Sequence, residues 1–321
     1  MKLEDIGFYT LEDYRAKNVS DKSPYWRCEI LLTGNCNFKC PYCRGPRHKG
    51  HQPISNIIET LDLWIKGGLK NVRFSGGEPT LYPKLPAIVN YCKEHGVERI
   101  AISTNGYNEL DYYKELIDNG VNDISVSLDA CCASFGDKMA GGIPGAWEKV
   151  VDNIKDLAKL TYVTVGVVFT DETISTAPDV VKFAHDLGVA DIRIISAAQF
   201  DQVIKNLESI DQTILDAHPI LKYRVENFKK GRNVRGIQKT DCHKCHLVKD
   251  DMAVSGGNHY PCIIHLREGD NPIGKVGPNM RQERIEWFEK HDCYKDPICR
   301  KNCLDVCIDY NNKCEEFAKK D

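Results

Sequence analysis

The chain has 321 residues, 42% of them hydrophobic, and a formal net charge of −3. That length suits one large domain with a smaller companion, and a mildly acidic balance with no long Lys/Arg block argues against a nucleic-acid surface. No apolar run reaches the length of a membrane span, and Met1-Lys2-Leu3-Glu4-Asp5 does not open a signal peptide, so a cytoplasmic protein is expected. In that compartment fifteen cysteines read as metal ligands rather than disulfides.

Residues 1–27 are polar and mixed, and read as an N-terminal extension. Strand and helix then alternate. Strands are predicted near 28–33, 71–75, 99–103, 123–128, 162–169 and 191–196, and helices near 54–67, 84–95, 110–119, 144–160 and 176–187. Gly67-Gly68, Gly96, Gly120 and Gly188 stand where those helices should stop. Six such repeats predict an α/β fold with a parallel sheet over 28–215. A bridging segment follows over 216–241, and a cysteine-rich region over 242–321.

Directly after the first strand comes Cys36-x3-Cys40-x2-Cys43, with Tyr42 ahead of the third cysteine. Three thiolates this close can hold three irons of a [4Fe–4S] cube and leave the fourth open. The second strand runs into Gly76-Gly77-Glu78-Pro79. Glycines let a backbone approach a ligand closely, and a carboxylate pairs with an ammonium. An ordinary turn is the plainer reading of the glycines alone.

Together, these two motifs one βα unit apart resemble the radical SAM superfamily. The resemblance implies a partial (β/α)6 TIM-like barrel with its chemistry at the C-terminal strand ends. It implies S-adenosylmethionine chelated to the open iron, its amino group bound by Gly76, Gly77 and Glu78. One-electron reduction, from a flavodoxin- or ferredoxin-type donor, would then release a 5′-deoxyadenosyl radical. Relatives carry Thr-Asn-Gly and Ser-Leu-Asp at the next two strand ends, which makes Thr104 and Ser127 candidates to line the cosubstrate pocket. Lys138 stands near the place where relatives have an Arg.

Eight cysteines fall in the tail: Cys242, Cys245, Cys262, Cys293, Cys299, Cys303, Cys307 and Cys314. Their spacing, with Gly257-x4-Cys262 and Cys293-x5-Cys299-x3-Cys303, resembles the SPASM extension of radical SAM enzymes. One ligand of that pattern falls on Lys290. Eight thiolates would ligate two auxiliary [4Fe–4S] clusters. By resemblance Cys242, Cys245, Cys262 and Cys303 form one set, and Cys293, Cys299, Cys307 and Cys314 the other. Structural zinc at Cys242-x2-Cys245 is the competing reading. His243, His246, His259, His265 and His291 lie among these cysteines and are expected to be surface or supporting groups rather than ligands.

Cys28 and Cys92 read as small buried residues. Cys131 and Cys132 follow Asp129 at the end of the fourth strand, where a thiol can return a hydrogen atom to a substrate radical; an idle pair is the alternative. The expected activity is hydrogen abstraction from a carbon of a peptide or small polar substrate. Oxidation, crosslinking or epimerisation would follow, with the auxiliary clusters as electron relays. Some 27 residues ahead of the barrel are too few for a leader-binding winged helix, which favours a leaderless peptide, a separate recognition protein, or a small molecule such as a sugar or aminocyclitol. A non-catalytic electron carrier and a nucleic-acid modifier remain as other classes. Gln199, Phe200, Asp201, Tyr223 and Arg224 are candidate substrate contacts.

Overall fold

The computed structural model describes residues 13–45, 49–197, 207, 209–269 and 271–320. Along the chain run α1 (Tyr14–Asn18), β1 (Arg27–Thr33), α2 (Ile54–Lys66), β2 (Asn71–Gly76), α3 (Leu85–Glu94), β3 (Arg99–Thr104), α4 (Leu110–Asn119) and β4 (Asp123–Ser127). Next come α5 (Ala133–Met139), α6 (Ala146–Leu157), β5 (Tyr162–Phe169), α7 (Ala177–Asp186), β6 (Asp191–Ser196), α8 (Gln212–Ala217) and α9 (Pro219–Lys229). The tail adds β7 (Asp251–Ser255), β8 (Asn258–Tyr260), α10 (Ile263–Glu268), β9 (Gly274–Lys275), α11 (Met280–Lys290), α12 (Pro297–Asn302) and α13 (Asp305–Ala318). Six parallel strands alternating with helices give the α/β architecture of a partial (β/α)6 barrel. No helix among the described residues is long and apolar enough to cross a membrane.

The described chain forms two compact units. The first holds the chain up to Asn35, Gly45–Ile100 and everything from Arg235 on. In it β1 is buried from Cys28 to Thr33, the nearly continuous apolar run expected of a strand covered on both faces. It pairs in parallel with β2, Arg27 opposite Asn71, and on its other side with β7, Arg27 opposite Asp251. β7 turns back through Gly256 and Gly257, at φ +61° and +73°, into antiparallel β8. Two positive-φ residues are what a two-residue hairpin of that twist requires, so Gly257 is the turn itself. Trp64 on α2 is fully buried and its indole N–H points to Met252 Sδ at 3.1 Å.

Packing at the first unit's N-terminus rests on an ion pair. Arg15 on α1 meets Asp250 through Nε at 2.8 Å and Nη2 at 2.5 Å, both side chains 3% exposed. The Arg15 guanidinium also lies over the rings of Trp26 and of Tyr310 on α13.

The second unit comprises Cys36–Arg44 and Ala101–Val234. Its strand order is β3-β4-β5-β6, all parallel, with Ala101 opposite Asp123, Asp123 opposite Tyr162 and Thr164 opposite Asp191. Alternating Val residues of β5 (Val163, Val165, Val167) are fully buried beneath the helices. Asp191, 1% exposed, meets the start of α9: its carboxylate accepts from Ile220 N at 3.0 Å and Leu221 N at 3.3 Å.

Candidate functional site

In the first unit, the end of β2 explains both glycines without a ligand. Gly76 sits at φ +147°, and a Cβ on it would run into the Thr33 carbonyl. A Cβ on Gly77 would run into the carbonyl of Asn35. The backbones approach this closely because Gly77 N donates to Thr33 O at 2.7 Å and Glu78 N to Asn35 O at 2.8 Å. β2's end thereby fixes the last residues before the cysteine loop. Glu78 is 1% exposed and caps a short 3-10 turn, accepting from Thr80 N at 3.1 Å and Thr80 Oγ1 at 2.8 Å.

In the second unit, the cysteine loop leaves Cys36 and Cys43 exposed and Cys40 half-buried. The loop is pinned at several points. Lys39 N donates to Ala140 O at 3.1 Å, Asn105 Nδ2 to Asn37 Oδ1 at 2.7 Å, and Phe38 packs on Tyr107. Tyr42 O–H donates to Asp129 Oδ2 at 2.5 Å, while Asp129 Oδ1 accepts from Val168 N at 2.7 Å. Burial pushes the Asp129 carboxyl up to about 6, against the lowering effect of those two bonds. Burial, then Asp129 and the two neighbouring thiols, push the Cys40 thiol up to about 12. Three unbridged thiols that repel one another's thiolate forms, on a loop held from outside, fit an iron–sulfur cluster, whose iron compensates the charge.

The remaining strand-end candidates divide. Thr104 is buried and holds its turn, its Oγ1 accepting from Gly106 N at 3.1 Å and lying 3.0 Å from Tyr113 O–H. Ser127 is exposed at the end of β4. Cys131 is half-buried and Cys132 exposed, with Cys132 Sγ 3.7 Å from Ser134 Oγ. Lys138 is an exposed partner of Glu172 at 2.8 Å. Cys28 and Cys92 are fully buried, as their apolar settings predict. Tyr223 lies on α9 with Arg224, which is 7% exposed; Gln199, Phe200 and Asp201 lie outside the described residues.

The eight tail thiols gather in the first unit. Cys293, Cys299, Ile237 and Ile308 form one buried group, with Cys245 and Cys303 against it. Cys314, Tyr310, Leu247 and Ala16 form another, with Cys245 and Cys307 against it. The free thiols of Cys245 and Cys293 lie against each other, as do those of Cys303 and Cys307, and each contact joins members of the two sets that the resemblance implied. Contact with Cys293 and then burial hold the Cys245 thiol well above the usual range; burial pushes Cys262 up to about 12. Dense, unbridged and mutually repelling, these thiols suit metal ligation. Sequence spacing missed the histidines and carboxylates that join them, because those converge from separate helices. His265, His291 and Asp296 surround Cys299, and His246 and Glu315 adjoin Cys242.

Comparison with known proteins agrees with this geometry. The family model described as the radical SAM superfamily matches residues 30–184. A probable GTP 3′,8-cyclase of Methanococcus maripaludis is 26% identical over 292 residues, 84% of this chain and 95% of that protein. The GTP 3′,8-cyclase of Nautilia profundicola is 25% identical over 307 residues, 84% and 92% of the two chains. Among solved structures, Streptococcus suis SuiB bound to S-adenosylmethionine aligns at a TM-score of 0.60 with 14% identity, covering 87% of this chain and 72% of that one. The anSMEcpe structure with AdoMet and a Cp18Cys peptide aligns at 0.58 with 15% identity, covering 92% and 97%. These two likenesses are of fold. Residues 30–184 carry the radical SAM match, and the protein is an enzyme that uses S-adenosylmethionine and a [4Fe–4S] cluster.

Proposed function

We propose that this enzyme abstracts a hydrogen atom from a small polar metabolite, with purine nucleotides the first class to test. The observation that carries the small-molecule reading is the near-full-length similarity to proteins named GTP 3′,8-cyclase. Cys36, Cys40 and Cys43 would hold the cluster, with Gly76, Gly77 and Glu78 taking the cosubstrate's amino group. When bound, cluster and cosubstrate supply reductive carbon–sulfur cleavage and a carbon-centred radical. The chain's own contribution is placement. Asp129 holds Tyr42 on the loop, and the N–H groups of Gly77 and Glu78 hold Thr33 and Asn35. Ser127, being exposed, is better placed than Thr104 to meet the cosubstrate.

Cys242, Cys245, Cys262, Cys293, Cys303, Cys307 and Cys314 would ligate auxiliary iron–sulfur centres in the manner of a SPASM-type extension, relaying an electron from the substrate radical. A flavodoxin- or ferredoxin-type protein would supply the reducing electron. Cys131 and Cys132 would be hydrogen-atom donors if the net reaction is redox-neutral.

The test is 5′-deoxyadenosine release by anaerobically reconstituted enzyme, first with GTP and other nucleotides, then with cell extract split by size. Stimulation by a nucleotide or by the small-molecule fraction supports the reading. Stimulation confined to a protease-sensitive large fraction overturns it in favour of a peptide or protein substrate. Cys36→Ala, Cys40→Ala or Cys43→Ala should each abolish release, and retained release would remove the loop from the reading.

A further inference from the structure

Lys290 stands where the tail's cysteine pattern breaks, and the side chains around the break form a set of their own. His265 on α10, His291 just after α11, Asp296 at the N-cap of α12 and Cys299 within α12 each bring one donor atom to within 4.8 Å of the others. His265 Nε2 lies 3.1 Å from Cys299 Sγ and 3.8 Å from Asp296 Oδ2, and His291 Nε2 lies 3.3 Å from the same oxygen. A tetrahedral ion with metal–nitrogen and metal–sulfur bonds of zinc length needs ligand–ligand edges of about 3.3–3.7 Å. The three distances straddle that range. Corner ligands of a cubane, each on a different iron, stand further apart, so the set fits one ion rather than one cluster.

The set is also held in place. Asp296 Oδ1 accepts from Ile298 N at 2.8 Å and Cys299 N at 2.9 Å, which leaves Oδ2 to the histidines. The Trp287 ring stacks on His291 with centroids 3.8 Å apart and meets His265 edge-on. His265 is 4% exposed. His291 Nε2 is buried without a hydrogen-bond partner although Asp296 Oδ2 lies 3.3 Å away, a geometry that leaves the nitrogen open to a metal. A cleft of about 310 Å³ opens onto His291, with Glu283 and Glu286 on its wall, and offers a cation an entry path.

We propose that His265, His291, Asp296 and Cys299 bind a single zinc-type divalent ion, and that Cys299 belongs to this site rather than to an iron–sulfur cluster. N2OS donors in a tetrahedron suit zinc, and four protein ligands with no open position make the site structural. It would tie α10, α11 and α12 together at the point where the cysteine pattern lacks a ligand. The inference does not depend on which substrate the enzyme uses.

The test is metal content of the full-length, anaerobically reconstituted enzyme, with the zinc K-edge absorption spectrum of the same sample. About one zinc per chain is expected, with a shell of nitrogen, oxygen and one sulfur. Asp296→Asn, which keeps the helix cap, and His291→Gln should each weaken zinc retention by roughly tenfold or more while iron and acid-labile sulfide stay at the wild-type level. Unchanged iron in these variants shows that they fold. Wild-type enzyme free of zinc, an all-sulfur zinc shell, or variants that lose iron instead of zinc would each overturn the proposal.

Discussion

The Tyr42 hydroxyl and the Asp129 carboxylate, 87 residues apart in sequence, meet across 2.5 Å and join the cysteine loop to the end of β4. Asp129 is anchored in turn by Val168 N on β5. The loop that carries the three thiols is thus set by the sheet of its own unit.

Removing one end of that link has a defined effect. Tyr42→Phe leaves a buried carboxylate with one donor fewer, a loss of about 1–3 kcal/mol by the usual penalty for an unmet buried acceptor. The same bond lowers the Asp129 carboxyl, which burial holds near 6, so its titration should move higher in the variant. Denaturant unfolding measures the first effect and carboxyl-selective NMR the second. A variant with unchanged stability and unchanged titration would show that the bond does not hold the loop.

Gly77→Ala tests the close approach at the end of β2. The added methyl meets the Asn35 carbonyl, and backbone there cannot swing aside as a side-chain tip would. Destabilisation of about 1–3 kcal/mol is expected, the range for overpacking. Iron bound at the adjoining cysteine loop should fall with it. Unfolding midpoints and iron content on the same preparation check both.

Arg15→Ala should be more damaging than its place near the N-terminus suggests. It strands Asp250 in the interior, and breaking a buried pair from one side costs about 3–5 kcal/mol. Replacing Arg15 and Asp250 together by apolar residues should recover much of the loss. Chemical denaturation of the single and double variants decides.

The pH dependence of stability has a term from Asp191. Burial raises its carboxyl from 3.8 to about 6, against the lowering effect of the backbone donors at the start of α9. Because the folded pKa is the higher one, the folded state binds the proton more tightly. The group's stabilising contribution is full below pH 3.8 and is lost as pH rises through about 6. Asp191→Asn lacks this term, so wild-type stability minus variant stability should shrink between pH 4 and 7, by up to about 3 kcal/mol. A difference independent of pH would contradict the shifted titration.

The barrel strands were legible because each is a short β-branched run closed by a turn or a glycine. The expected and observed bounds of β5 and β6 coincide, and the others differ by a residue. α5 was not legible: seven residues of mixed polarity beside Cys131 and Cys132 carry too little pattern. The pairing of β7 with β1 was not legible either, since register between strands more than 200 residues apart leaves no local trace. In the candidate site, Cys36, Cys40 and Cys43 were readable from spacing alone. Asp129 was visible only as part of a strand end, and its bond to Tyr42 needed the fold. The sequence alone marks the histidines beside Cys299 only as surface or supporting groups, because proximity created by three helices has no sequence period.

The parallel seat of β7 against β1 makes the cysteine-rich tail a poor candidate for a detachable module. A chain cut before residue 242 would leave the flank of β1 with a row of unmatched amides and carbonyls, a surface that recruits other strands. Such a truncation should precipitate rather than yield a soluble core. Chimeras that exchange tails between relatives should tolerate the exchange only when the donor brings its own strand to fill that berth.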